Sequence, residues 1–310
     1  MSAITNTAWN PQFNRQVLMS GAEYMSNALP INPYMNADEP FNVALAVQQH
    51  TDIWRALESI GIEVIKRDAP ADCQDGIFTA NEALLGLDDT TVLMARLPKG
   101  REQETPYYDK LLRDLGKNVV YLPNPDWFFS GQGDALRYGD YLLAGQKFRT
   151  SPGPEVHQFI KENLGYKVLS LQAVGLKNPD GSPDMNQVTG LPNSDFYDCD
   201  YAVAPIKWPS VTERGLLAVC REAWELESLA QLEALPNTDI IWVPYNEATG
   251  VSAVNLVSTG EAVVMNAGAP VLEQALRDHG LHVVTTVNDE LKKNGGSVRC
   301  TTLTTRHLKA

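Results

Sequence analysis

"WRALESIGIEVIKRD", residues Trp54–Asp68, joins an amphipathic helix, a glycine and a β-branched run, and the same junction recurs along the chain. Gly61 lies where the helical pattern ends, as is typical of a helix C-terminus, because glycine adopts the left-handed conformation without a Cβ clash. The other copies are YDKLLRDLGKNVVYLP, FIKENLGYKVLSLQ, LAQLEALPNTDIIWVP and LEQALRDHGLHVVTTV. The recurrence predicts a structural repeat.

Further strand-like runs precede the helices, for example GIFTANEALLG and TTVLMARLP before the second helix. The first unit is complete only if the C-terminal SVRCTTLTT joins RQVLMSGAEY near the start of the chain. We therefore predict an α/β fold of five strand-strand-helix-strand units, arranged as one domain over residues 1–310 in a ring that the two termini close. The first helix is expected to start near Asp38, as N-cap, with Pro40 in its first turn.

The charge of the chain favours some ligand classes over others. There are 38 acidic and 25 basic residues, which give a net charge of −13. Nucleic-acid binding rests on clustered lysine and arginine, so a nucleic-acid partner is not expected. The acidic balance is compatible with plain solubility and with a cationic small-molecule partner.

The cysteines and the N-terminal segment indicate the cellular compartment in which the protein is expected. The four cysteines show no disulfide or zinc spacing. The N-terminal MSAITNTAWNPQFN has no basic segment followed by an apolar run, and no apolar stretch is long enough to cross a membrane. We expect a reduced, cytoplasmic protein with no membrane association, no cofactor and no metal, and the sequence leaves a homo-oligomer open.

Polar residues interrupt the first strand of several predicted pairs, where a ring would bring side chains together. Polar side chains on buried strands are costly unless they bind something, so these positions form a site hypothesis. They are Asp75, Asn81, Ser130, Asp134, Asp198, Asp200, Asn255 and Cys300.

DFYDCDYAVAP, residues Asp195–Pro205, reads as a strand with Asp198 and Asp200 on one face. Along a strand these carboxylates would lie about 7 Å apart, which is costly unless a cation sits between them. Cys300 follows a Gly-Gly turn that allows close approach of a ligand, although an inert core cysteine is equally compatible with the pattern. Cys220 falls in the apparent helical run ERGLLAVCREAWELESLAQL and is expected to be inert.

The histidines offer no evident partner for Cys300. His50, His157, His279 and His282 fall on predicted helices or helix ends and are expected at the surface. His307 lies near the C-terminus, where chains fray.

Taken together, the motifs are similar to those of the guanidine-modifying enzyme superfamily, which includes arginine deiminases, dimethylarginine hydrolases, amidinotransferases and bacterial arginine dihydrolases. The resemblance implies a five-bladed, pseudo-symmetric α/β propeller (pentein). The segment FTAN, with Asn81, is most similar to the arginine dihydrolase branch. The segments that carry the resemblance are VLMSGAEYMSNALPINPYMN, FTAN, SGQGDAL, FRT, FYDCDYAVAP and NGGSVRCTTL.

The resemblance implies roles for individual residues. Cys300 matches the nucleophile that attacks the guanidinium carbon, Asp200 the guanidinium-binding carboxylate, and Asp134 the acid that follows the glycine-rich turn. Asp198 stands where the family has the histidine that protonates the leaving amine. Ser130 stands where the family has the carboxylate that orients this histidine. The substrate-binding set is expected to be Asp75, Asn81, Ser130, Asp134, Arg149, Asp200 and Asn255.

Two functions are compatible with this altered site. The first is a cysteine-dependent hydrolase or amidinotransferase that acts on a guanidino compound through a covalent amidino-thioether, with Asp198 shuttling protons or binding a second cationic nitrogen. The second is a catalytically impaired binding protein that keeps the pocket, because general acid-base catalysis is typically worth about 10²–10⁴-fold. Retention of Cys300 and the Gly-Gly turn favours the enzyme.

Overall fold

The computed structural model describes residues 11–308. The prediction that the N-terminal segment is not a leader concerns mainly residues 1–10, which lie outside the described residues. Within residues 11–308, no helix is both long and apolar enough to cross a membrane.

The described chain alternates strands and helices. The strands are β1 (Gln16–Ser20), β2 (Glu63–Arg67), β3 (Ala83–Leu85), β4 (Thr91–Met94), β5 (Asn118–Val120), β6 (Ala135–Tyr138), β7 (Tyr141–Gly145), β8 (Lys167–Leu171), β9 (Val203–Lys207), β10 (Gly215–Cys220), β11 (Thr238–Val243), β12 (Val257–Ser258), β13 (Ala262–Asn266), β14 (His282–Thr286) and β15 (Leu303–Arg306). The helices are α1 (Val43–Ser59), α2 (Thr105–Asp114), α3 (Glu155–Leu164), α4 (Leu226–Glu233), α5 (Tyr245–Gly250), α6 (Pro270–Asp278) and α7 (Asp289–Lys292).

These strands form five three-stranded sheets, in the orders β15-β1-β2, β3-β4-β5, β6-β7-β8, β9-β10-β11 and β12-β13-β14. In every sheet the middle strand pairs antiparallel with the first strand and parallel with the third. A helix connects the second strand to the third, as parallel neighbours require. The predicted α/β class, the strand-strand-helix-strand unit and the pairing of the C-terminal strand with β1 are confirmed.

The helix ends follow from the sequence in part. Gly165 ends α3 in the left-handed conformation, with φ of 81°. The predicted start of the first helix is wrong: α1 begins at Val43, and its N-cap is Asn42, whose Oδ1 accepts a hydrogen bond from Leu45 N at 3.1 Å. Asp38 and Pro40 precede that cap, so the prediction placed the start one turn too early.

Burial distinguishes the strands of a sheet. All six residues of β10 are buried, whereas the outer strand β2 is half exposed. The helical assignment of Cys220 is wrong, because the continuous apolar run GLLAVC forms a buried strand and the helix begins only at Leu226. Cys220 is nevertheless buried, as expected for an inert cysteine.

The polar residues precede the first strands instead of lying on them. Thr79–Glu82 and Cys199–Tyr201 are 3₁₀ turns, and Cys300 lies in a turn before β15. The strand predicted for Asp195–Tyr201 is therefore wrong, and β9 starts only at Val203. A turn frees the side chains from strict alternation, so neighbouring polar residues can point toward the same space.

First strands of different sheets lie beside each other. β15 contacts β3, and β9 contacts both β6 and β12. The turns that lead into these strands are thereby brought together from distant parts of the chain.

Candidate active site

A buried cavity lies where the turns before the first strands meet. Six of the predicted site residues line it: Asp75, Asn81, Ser130, Arg149, Asp198 and Cys300. The remaining wall comes from Ile31, Asn32, Phe78, Pro98, Arg101, Tyr197, Asn294 and Gly295. The other three predicted residues, Asp134, Asp200 and Asn255, lie behind this lining.

The Cys300 thiol is held by two side chains behind the cavity. Asn255 Nδ2 donates to Cys300 Sγ at 3.1 Å, and Asn255 Oδ1 accepts from the Cys300 backbone N–H at 3.1 Å. Asp200 Oδ2 lies 3.3 Å from the same sulfur. Burial, followed by the charges of Asp200 and Asp198, raises the pKa of the thiol well above its usual range. Without a ligand the sulfur is therefore a thiol, and a bound cation would favour the thiolate.

Asp198 and Asp200 are both buried, and each has one oxygen without a partner, Oδ1. Burial raises the pKa of Asp198, while Arg149 opposes this shift. Burial and the charge of Asp198 raise the pKa of Asp200 well above its usual range. An unpartnered buried carboxylate oxygen is costly, so this pair is suited to a ligand that brings N–H donors and positive charge.

The side-chain amide of Asn81 connects Ser130 and Asp198, the two positions at which the resemblance places a carboxylate and a histidine. Its Nδ2 donates to Ser130 Oγ at 2.9 Å and to Asp198 Oδ2 at 3.0 Å. Its Oδ1 accepts from Arg101 Nη1 at 2.9 Å. Asn81 thus fixes the position of Asp198 through Oδ2, and Oδ1 is left without a partner.

Arg101 was missed by the sequence analysis. Its Nε and Nη2 donate to the carboxylate of Glu104 at 2.9 and 2.7 Å, and Nη2 also lies 3.3 Å from Glu82 Oε1. The segment REQE reads as a solvated charge run, so its pattern gave no signal of burial. Packing against the Thr79–Glu82 turn is what buries it.

The cavity lining also includes a carboxylate, Asp75, and a guanidinium, Arg149. Asp75 accepts hydrogen bonds from Asn294 Nδ2 at 3.1 Å and Gln74 Nε2 at 2.8 Å, and burial raises its pKa to about 6. Arg149 Nη2 donates to the Ile31 carbonyl at 2.7 Å, and its guanidinium lies 4.8 Å from the ring centre of Tyr197. Both ends of a zwitterionic amino-acid ligand would find an opposite charge here.

Asp134 does not line the cavity. Its carboxylate accepts from Thr150 Oγ1 at 2.6 Å and from the Cys199 backbone N–H at 3.1 Å. Asp134 therefore anchors the turn between Asp198 and Asp200, which sets the direction of both carboxylates.

None of the five histidines lines the cavity. The surface prediction holds for His279 and His282 but is wrong for His50 and His157, which are buried. The prediction of a frayed His307 is also wrong, because its side chain is buried and its backbone N–H donates to Asp89 Oδ2 at 3.0 Å. Within residues 11–308, no group of His, Cys, Asp and Glu side chains has the arrangement of a metal site.

Comparison with known proteins places the chain among relatives that modify guanidino groups. It is 29% identical over 289 residues to an N(G),N(G)-dimethylarginine dimethylaminohydrolase of Mycobacterium tuberculosis, covering 93% of this chain and 85% of the relative. It is 24% identical over 275 residues to the Streptomyces coelicolor protein of the same name, covering 87% and 90%. No family model matches the chain.

Solved structures agree with these relatives. The N-terminal domain of ArgZ, an arginine dihydrolase from the ornithine-ammonia cycle in cyanobacteria, has a TM-score of 0.78 and 25% identity, covering 96% of this chain and 98% of that domain. A dimethylarginine dimethylaminohydrolase adduct with S-methyl-L-thiocitrulline has a TM-score of 0.68 at 20% identity, covering 93% and 98%, and shows the same fold. The resemblance to guanidine-modifying enzymes inferred from the motifs is confirmed, and so is the prediction of an enzyme of the C–N hydrolase class.

Proposed function

We propose that the chain hydrolyses a guanidino compound of arginine-like structure, with Cys300 as the nucleophile and a covalent amidino-thioether as intermediate. The observation that carries this proposal is the position of the thiol. Cys300 Sγ lies 3.3 Å from Asp200 and accepts from Asn255 at 3.1 Å, at the wall of a cavity that Asp198 also lines.

The proposed chemistry begins with formation of the nucleophile. A guanidinium that enters the cavity places its N–H groups against the free Oδ1 of Asp198, with the carboxyl of Asp200 behind the thiol, and adds the positive charge that thiolate formation needs. The thiol proton passes to Asp198, and the Cys300 sulfur forms a bond to the guanidinium carbon. One C–N bond breaks, the amine leaves with the proton that Asp198 holds, and the carbon remains bound to sulfur. Water next adds to that carbon and gives a proton to Asp198. Breaking the C–S bond then returns this proton to the sulfur and regenerates the thiol.

Asp198 is the proposed proton carrier in both halves of the reaction. An ordinary aspartate is a poor acid at neutral pH, but burial raises the pKa of Asp198 toward the range that proton transfer requires. In the first half it would give a proton to the leaving amine, and in the second half it would take one from the attacking water. Asn81, which donates to its Oδ2, leaves Oδ1 available for this exchange.

The comparisons support the substrate class and the covalent step. The relatives are named for dimethylarginine, and one ArgZ structure is that of a cysteine-to-serine variant bound to substrate. A second ArgZ structure, of an asparagine-to-serine variant, is described as covalently bound to a reaction intermediate. These observations concern those proteins, and they make arginine and its methylated derivatives the first compounds to assay here.

A binding protein or an amidinotransferase is the second candidate. The observation that favours it is the absence of any histidine from the cavity lining, since the usual acid-base group is replaced by Asp198. An amine acceptor in place of water would turn hydrolysis into amidino transfer, and loss of proton transfer would leave binding alone.

The proposal is tested by incubating the protein with arginine, N(G),N(G)-dimethylarginine and agmatine. Hydrolysis of the first two gives ammonia or dimethylamine together with citrulline, or ornithine if a second cleavage follows. We expect turnover that Cys300→Ala abolishes and that Cys220→Ala keeps. Turnover that survives Cys300→Ala contradicts the proposed nucleophile, and saturable binding without product favours the binding protein.

We also propose that the five sheets close into one propeller-like ring and that residues 1–310 form one domain. The contacts of β15 with β3, and of β9 with β6 and β12, support the ring.

All four cysteines are unpaired, which supports the proposal of a reducing compartment such as the cytoplasm.

A further inference from the structure

A second cavity lies on the other side of Asp200 from the Cys300 thiol. Arg299, His307, Arg137 and Asp200 are among the residues that line it. Its volume is about 20 Å³, which is room for one group of water or halide size. None of its side chains other than Asp200 has a role in the proposed reaction.

Two nitrogen atoms in this lining are buried without a hydrogen-bond partner, Arg299 Nε and His307 Nδ1. The other nitrogens of Arg299 bond to neutral groups, Nη2 to Gln132 Oε1 at 2.7 Å and Nη1 to Thr304 Oγ1 at 3.3 Å. Nε of the buried guanidinium therefore has no hydrogen-bond acceptor, and neither of the other two hydrogen bonds of Arg299 is to a carboxylate.

Two arginines and one aspartate line the cavity, so basic groups outnumber acidic ones. Burial and then Asp198 raise the pKa of the Asp200 carboxyl well above its usual range, while Arg299 opposes this shift. Arg137 lies 3.4 Å from Asp89. Burial, and then Arg137, Arg299 and Lys117, hold the pKa of His307 well below its usual range, so the imidazole is neutral.

We propose that this cavity binds a single small monovalent anion of halide size, held by Arg299 Nε and His307 Nδ1. A water molecule could satisfy the two hydrogen bonds, but only an anion also compensates the buried guanidinium charge.

The same anion would weaken binding of a cation at Cys300, an extension that rests on the proposed function. Asp200 belongs to both sites, since its Oδ2 lies 3.3 Å from Cys300 Sγ and the residue also lines the second cavity. A guanidinium at Cys300 stabilises ionised Asp200, whereas an anion beside Arg299 repels it. Where this effect exceeds the direct attraction between the two ligands, each ligand lowers the affinity for the other, and the two factors are equal.

The direct test is diffraction from crystals of the full chain soaked in sodium bromide and measured at the bromine absorption edge. We expect one anomalous peak within hydrogen-bond distance of Arg299 Nε and His307 Nδ1. Water-like density at that position without an anomalous peak overturns the proposal, whatever the enzyme assays show.

A solution test compares the melting temperature in bromide with that in gluconate, a much larger anion, at equal ionic strength. We expect a saturable rise with bromide in the wild type and in the control Arg277→Gln, which alters a surface ion pair with Glu273 on α6. The rise should be absent in Arg299→Gln. Equal responses to the two salts contradict the site. If Arg299→Gln does not fold, the bromide-soaked wild-type crystal tests the site instead.

The coupling is tested separately by steady-state kinetics with a guanidino substrate. Bromide at constant ionic strength is expected to raise KM and leave kcat unchanged. An unchanged KM, in a protein whose crystals show the anomalous peak, removes the coupling and leaves the anion site in place.

Discussion

At the residue scale one side chain connects two positions at which the resemblance places other residues. By that resemblance Asp198 and Ser130 stand where the family has a histidine and its carboxylate partner, and Asn81 donates to both of them. Restoring the pair should therefore require both changes. We expect Asp198→His with Ser130→Glu to move the pH optimum toward the histidine range, whereas Asp198→His alone leaves an imidazole without an orienting carboxylate. The pH–rate profiles of the double variant and of Asp198→His alone check this expectation, and identical profiles would contradict it.

Asp75 makes the stability of the protein depend on pH. Its pKa is raised by burial from 3.8 to about 6. The folded state therefore favours the neutral carboxyl, so the unfolding free energy is highest below pH 4 as far as this group is concerned and falls as the pH rises through 6. The loss is about 3 kcal/mol for a shift of this size. Measured by urea unfolding from pH 4 to 7, the unfolding free energy should decline less in Asp75→Asn than in the wild type. Equal declines in the two proteins would contradict the argument.

The individual site residues were largely predictable, because cysteine, aspartate and asparagine are unusual in buried segments. Arg101 and Tyr197 were not, since each is buried by contacts with parts of the chain that are distant in sequence. Arg101 reaches Asn81, and Tyr197 packs against Arg149. No local pattern encodes those contacts.

At the element scale the turns before the first strands, and not the strands, carry the site. The sequence analysis placed Asp198 and Asp200 on one face of a strand, but Cys199–Tyr201 is a 3₁₀ turn. Apolar residues such as Tyr197, Cys199 and Tyr201 alternate with the acids, which is also the pattern of a half-buried strand. A turn with every residue buried is indistinguishable from a strand by alternation alone.

The glycine-rich turn SGQGD is not expected to tolerate substitution of Gly131. This residue has φ of 55°, and a Cβ there would lie 2.7 Å from the Asn81 carbonyl oxygen and 2.8 Å from that of Ala80. Gly116 provides a matched control, with φ of 77° and nothing within 4 Å of a Cβ.

Gly116→Ala should lower the unfolding free energy by about 1 kcal/mol, the cost of a left-handed alanine. Gly131→Ala should lower it further and also reduce turnover, because the displaced backbone holds Asn81. Denaturant unfolding and activity assays measure both effects. Equal losses of stability in the two variants would contradict the close-packing argument.

At the scale of the whole molecule the two ends of the chain share one sheet. β1 pairs with β15, and the turn before β15 carries Cys300. The repeat predicted this pairing, because the first unit was otherwise incomplete. The contacts between sheets could not be read from the repeat, since they depend on loops of unequal length.

This shared sheet predicts that stability and activity depend on the C-terminal strand. Leu303 is 1% exposed and packs with β3 and β4, whereas Leu308 is 42% exposed. Leu303→Ala should cost about 2–5 kcal/mol of unfolding free energy, as for other buried leucines. Leu308→Ala should cost under about 0.5 kcal/mol. Thermal unfolding compares the two, and similar losses would show that the strand is not part of the core.

The central claim is that Cys300 forms a covalent bond to the guanidino carbon of its substrate. The most direct measurement is mass spectrometry of peptides from protein mixed with arginine or dimethylarginine and quenched in acid within the first turnover. We predict an adduct on the Cys300 peptide with the mass of the substrate less its leaving amine, absent from Cys300→Ala. Product formation from the wild type with no adduct on Cys300, or with an adduct on another cysteine, would contradict the claim.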